Sequence, residues 1–73
     1  MTVKNIVEKI NCSTRYKLVG AKTGKVLHKS HENRMEHVVQ FFEKEIAGIY
    51  AEMKSGTRNE YAYPVICVWV HGM

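Results

Sequence analysis

A chain of 73 residues with 45% apolar and 25% charged side chains is one small domain, 1–73, neither a disordered polymer nor a pair of domains. No apolar run approaches the roughly 18 residues of a membrane span, and no basic segment followed by a long apolar one opens the chain. The reading is therefore a cytoplasmic protein with no membrane partner. The net charge of +4 is unevenly spread: six basic residues and no acidic one lie between Lys9 and His31, and aspartate is absent throughout. From Glu32 to Glu60 six glutamates face Arg34, Lys44, Lys54 and Arg58. That asymmetry suits an anionic partner, or two copies packing opposite halves together.

Thr2 to Ile10 reads as a short helix, capped by Thr2, with Val3, Ile6, Val7 and Ile10 on one stripe. Arg15 to Gly20 alternates as a strand, with Tyr16 and Leu18 on one face and Lys17 and Val19 on the other. Lys22-Thr23-Gly24 signals a tight turn with Gly24 left-handed, and Lys25 to Lys29 returns as the second strand of a hairpin. Asn33 and Glu36 form a capping-box-like pair, after which Met35, Val38, Val39 and Phe42 make a helical stripe to about Lys44.

Two readings compete for the next segment. Ile46, Ile49 and Met53 prolong the helical spacing to about Lys54. Against this, Gly48 would cost about 1 kcal/mol mid-helix. Ala47, Ile49, Ala51 and Met53 also alternate with Gly48, Tyr50, Glu52 and Lys54, as in a half-buried strand. The strand is favoured, because the last apolar run needs a neighbour. That run, Tyr63 to Val70, is apolar on both faces and starts at Pro64, which has no ladder donor, so it reads as an interior strand. A polar connection across Lys54–Ala62 precedes it. The fold class is α+β: a short N-terminal helix and then β-β-α-β-β, an antiparallel sheet with a helix on one face.

The runs Thr2-Val3-Lys4-Asn5-Ile6-Val7-Glu8-Lys9-Ile10, Tyr16-Lys17-Leu18-Val19, Thr23-Gly24-Lys25-Val26-Leu27 and Glu45-Ile46-Ala47-Gly48-Ile49-Tyr50-Ala51 together resemble a group of small accessory proteins of bacteriophages and integrative mobile elements. The resemblance spans most of the chain and implies that genetic setting, a strand over 46–53, and a role in blocking or sequestering components of host defence. It carries over no catalytic or binding residue.

Chemistry-bearing residues are few. His28, His31 and His37 are grouped, and His28 and His31 straddle a strand-to-helix junction, but zinc wants four converging nitrogen or sulfur ligands and no C-x-x-C exists. Cys67 and His71 on one strand would lie about 13 Å apart, too far for one ion. Cys67 in a core strand reads as an inert thiol; Cys12, near Arg15, is the better nucleophile, with a structural role favoured for both. A disulfide between them is the minority reading. Ser30 with His28 is the other nucleophile–base pair that can be drawn. Glu32, Glu36 and Glu43 read as a solvated face. The expectation is a non-catalytic protein without metal or cofactor.

The basic hairpin offers the sharper binding feature. Arg15, Lys17, Lys22, Lys25 and Lys29 would hold nucleic acid or a small anionic nucleotide, unless they only keep an exposed edge soluble. Tyr61, Tyr63, Val65 and Trp69 are the candidate interface residues. The leading expectation is a small binding or inhibitor-type protein acting through protein contacts as a homo-oligomer, which supplies burial that so short a chain lacks. Nucleic-acid or nucleotide sequestration is the alternative.

Overall fold

The last apolar run forms the interior strand that its two-sided apolarity predicts. In the computed structural model, which describes residues 1–10, 14–54 and 62–73, the elements run α1 (Val3–Lys9), β1 (Arg15–Gly20), β2 (Val26–Lys29), α2 (Met35–Val38), a 3-10 turn (Val39–Phe41), β3 (Ile46–Lys54) and β4 (Tyr63–Val70). The four strands make one sheet in the order β2-β1-β4-β3. Val65, Val68 and Val70 of β4 are buried. Cys12, Tyr61 and the rest of the connection 55–61 lie outside the described residues.

The sheet is mixed, which corrects the expectation of a purely antiparallel one. β1 pairs β2, and β3 pairs β4, each antiparallel, but β1 and β4 run parallel from Arg15↔Val65 to Gly20↔Val70. The cause is the route between the hairpins. Residues 30–45 carry the chain from one edge of the sheet to the other through α2, and a crossover of this length joins strands of like direction. Side-chain alternation fixes which face a residue takes; it is silent on which way a neighbouring strand runs.

The second helix is also shorter than its spacing suggests. Arg34, not Asn33, occupies the N-cap, and no side chain caps it. The Asn33 Oδ1 instead accepts from the Lys29 N–H at 2.8 Å. After one turn the chain tightens into 3-10 geometry, where side chains three apart fall in line. Val38 and Phe41 therefore share the buried side, whereas Met35 and Val39 of the expected stripe stand exposed.

α1, α2 and the 3-10 turn cover one face of the sheet. Val3 and Val7 of α1 meet Val38 and Phe41 over Tyr16, Leu18, Val68 and Val70, with Ile6 and Ile10 at the margin. The stripe read from α1 is thus the stripe that docks. A helix of this length gains little from its own hydrogen bonds, and docking holds it. Its start is pinned by the Val3 N–H on the Lys44 carbonyl at 2.9 Å and by the Thr2 N–H on Asn5 Oδ1 at 3.0 Å. Gly24 has φ +73°, as the hairpin turn requires.

Candidate functional site

The face turned away from the helices is uncovered among the described residues, and its side chains follow from the register. Lys17 stands between Lys29 on β2 and Cys67 on β4, and Cys67 is opposite Tyr50 on β3. One row toward the hairpin tip come Val26, Val19 and Trp69. One row the other way come Arg15, Val65 and Glu52. This face has an apolar middle and a charged flank.

The middle is held by specific contacts. Tyr50 meets Trp69 edge-to-face, with ring centroids 6.2 Å apart. Such a pair contributes about 0.5–1.5 kcal/mol beyond its burial. Cys67 is 5% exposed, and burial pushes its thiol pKa up. A thiol kept protonated is a poor nucleophile and a poor ligand.

Beside Cys67, Lys17 Nζ lies 2.9 Å from Glu52 Oε1, and Lys54 Nζ reaches the same oxygen at 3.6 Å. The hydrogen bond from Lys17 holds the Glu52 carboxyl below its usual range, and the same bond raises the Lys17 pKa. Lys29 pairs with Glu32 at 3.5 Å, and His31 approaches that carboxylate at 3.9 Å. Lys17, Lys29, His31 and Lys54 share the wall of a concavity of about 420 Å³ with Tyr63 and Val65. Arg15 lays its guanidinium 4.1 Å from the centre of the Tyr63 ring.

The five hairpin cations therefore divide. Arg15, Lys17 and Lys29 gather at the open end of the hairpin, whereas Lys22 and Lys25 stand exposed at its tip. Lys54, which joins the first group from β3, was not legible as a partner; its place depends on β3 lying two strands from β1. Of the candidate interface residues, Tyr63, Val65 and Trp69 all fall on this open face, and Tyr61 lies outside the described residues. Val65 is buried within the chain itself.

The histidines behave differently from expectation. His28 points to the helix side and is 1% exposed, with its Nδ1 2.9 Å from Nδ1 of His37 on α2. Tyr16, His28, His37 and Phe41 follow one another in ring-to-ring contact. His28 meets His37, not His31, and His71 is exposed at the far end of β4. Ser30 Oγ accepts the Tyr16 N–H at 3.0 Å, a structural task. Among the described residues no three His, Cys, Asp or Glu side chains converge as a metal site. No helix is long and apolar enough to cross a membrane.

The remaining surface feature is the outer edge of β3. Three of the large apolar side chains most exposed among the described residues, Ile49, Tyr50 and Met53, lie on this one strand. Beside it on the helix side, Ile6, Ile10, Ile49 and Ile66 line an apolar hollow of about 320 Å³.

Fold and surfaces define a class only: a small α+β domain with a mixed four-stranded sheet. Among the described residues one face is bare, and the outer edge of β3 is open beyond Ile46, whose N–H is taken by the Met1 carbonyl at 3.0 Å beside the Thr2–Glu45 bridge. No protein-family model matches the chain, and neither does any curated protein or solved structure.

Proposed function

We propose that this is a non-catalytic binding protein that works as a homodimer, with the two β3 strands pairing edge to edge. The observation that carries the reading is the contrast between the two sheet edges. β2 spans only Val26–Lys29, follows Lys25 and ends on Lys29, and short edges with lysines are how natural sheets are kept from pairing. β3 spans nine residues, Ile46–Lys54, holds no proline, and carries no charge before Glu52.

An antiparallel pair of identical edges closes on itself, because each strand presents the same donors and acceptors to the other. Such a pair brings Ile49, Ala51 and Met53 against their counterparts on the helix side. It also extends the apolar hollow at Ile6, Ile10 and Ile66 across the two-fold axis. Burial supplied by a second copy offsets the small core of a single chain. The buried thiol of Cys67 and the structural engagement of Ser30 favour binding over catalysis. A role in sequestering a target, in a phage or mobile-element setting, rests on the resemblance alone.

The test is a double variant, Ile49→Lys with Met53→Lys. Both positions are exposed, so the single chain keeps its fold and melting cooperativity. Light scattering after size exclusion is expected to read a dimer for the parent and a monomer for the variant. A variant that stays dimeric contradicts pairing through β3.

A further inference from the structure

We propose that the concavity on the bare sheet face, walled by Lys17, Lys29, His31 and Lys54, is a site for a small phosphomonoester of the nucleoside monophosphate class. The phosphate lies among the lysines, and the apolar part lies against Tyr63 and Val26.

Convergence is the first argument. The wall is built from β1, β2, the link after β2, and β3, so residues remote in sequence bring like charges to one place. Lys17 and Lys29 are register partners on the same face. Direct opposition of like charges in a sheet is unfavourable, and an anion between them reverses its sign.

The carboxylates already present do not use up the donors. Glu52 serves both Lys17 and Lys54, and Glu32 serves Lys29 and His31. Each ammonium carries three donors, so each lysine keeps N–H groups for a further oxygen. A phosphate monoester offers three acceptors that suit such a ring of point charges.

Size and lining select a small molecule. About 420 Å³ falls within the range of small-ligand pockets, and its wall sets Lys17, Lys29, His31 and Lys54 against Val26, Tyr63 and Val65. Tyr63 is held beneath Arg15 and supplies a rigid apolar surface. A nucleic-acid strand would instead need a continuous basic track. Here Lys22 and Lys25 stand at the hairpin tip, beyond Val26, and neither lines the concavity. The site is independent of β3 pairing, which extends the sheet sideways and leaves this face open.

The experiment is a two-dimensional amide NMR titration of the full chain with adenosine monophosphate, inorganic phosphate and a ten-residue oligothymidylate. The expected result is saturable shifts at Lys17, Lys29, Lys54 and Tyr63 with adenosine monophosphate, and weaker binding of inorganic phosphate at the same residues. Lys29→Gln with Lys54→Gln is expected to weaken binding about tenfold or more, as loss of charge-assisted bonds does. Lys22→Gln with Lys25→Gln leaves it unchanged, and dispersed spectra confirm that both variants fold. No saturable shift with adenosine monophosphate overturns the proposal. So does tighter binding of the oligothymidylate that is lost when Lys22 and Lys25 are replaced, which would make the hairpin a nucleic-acid contact.

Discussion

His28 and His37 place their Nδ1 atoms 2.9 Å apart between the sheet and α2, and this contact ties the second helix to the hairpin. At that separation one ring donates and the other accepts, so at least one Nδ1 is unprotonated. Burial first, and the neighbouring His37 second, lower the pKa of His28 from its ordinary 6.5. The fold therefore accepts the neutral ring. Below pH 6.5 the unfolded chain takes up the proton before the folded one does. The contribution is fully present at neutral pH and is lost as pH falls through the lowered value of His28. Chemical denaturation at pH 7 and pH 5 is expected to show lower stability at the acid value. His28→Phe, which keeps a ring between Tyr16 and His37, is expected to flatten that slope. An unchanged slope in the variant would assign the acid sensitivity elsewhere.

Cys67 is expected to be unreactive in the folded protein. Its thiol is buried and its pKa raised, so little thiolate forms at pH 8. In a Cys12→Ser background, a disulfide reagent such as Ellman's is expected to label Cys67 only as fast as the chain unfolds. Rapid labelling under native conditions would contradict this placement of Cys67.

Leu18 is fully buried beneath both helices. Leu18→Ala is expected to cost about 2–5 kcal/mol, the transfer loss plus an incompletely collapsed cavity. For so small a domain, that is a large part of its stability. Thermal unfolding followed by circular dichroism measures the loss directly.

Gly24 tests the hairpin. Its φ of +73° is unfavourable for an L side chain, although a Cβ there would meet nothing. Gly24→Ala is expected to cost about 1 kcal/mol through backbone conformation alone. Gly24→Asn should cost less, since asparagine tolerates this region better. Equal stability of all three would mean that the turn relaxes to another form.

Much of the fold was legible because it rests on local rules. The docking stripe of α1 could be read from periodicity, and the faces of β1 and β3 from alternation. Gly24 could be assigned from turn chemistry, and β4 as interior from its apolarity on both faces. The parallel pairing of β1 and β4 could not be read, since it depends on the path of the crossover and not on any residue within the strands. The helical stripe at Met35 and Val39 misled because the 3-10 turn brings Phe41, not Phe42, into line with Val38. The candidate site was half legible: Lys17 and Lys29 were visible as hairpin cations, but Lys54 joins them only through the strand order. The pairing of His28 with His37 was not signalled. Period two sets His28 on the face of Val26, opposite Leu27, but the irregularity between Leu18 and Val19 turns Val26 to the open face and leaves His28 on the helix side. Its partner also comes from a helix whose position the sequence does not specify.

The most direct test of edge pairing is amide hydrogen exchange of β3, measured residue by residue at low and high protein concentration. Pairing through this edge predicts that protection of amides in Ile49–Met53 rises with concentration, while β2 at the opposite edge is unaffected. Exchange in β3 that is fast and independent of concentration would contradict the dimer.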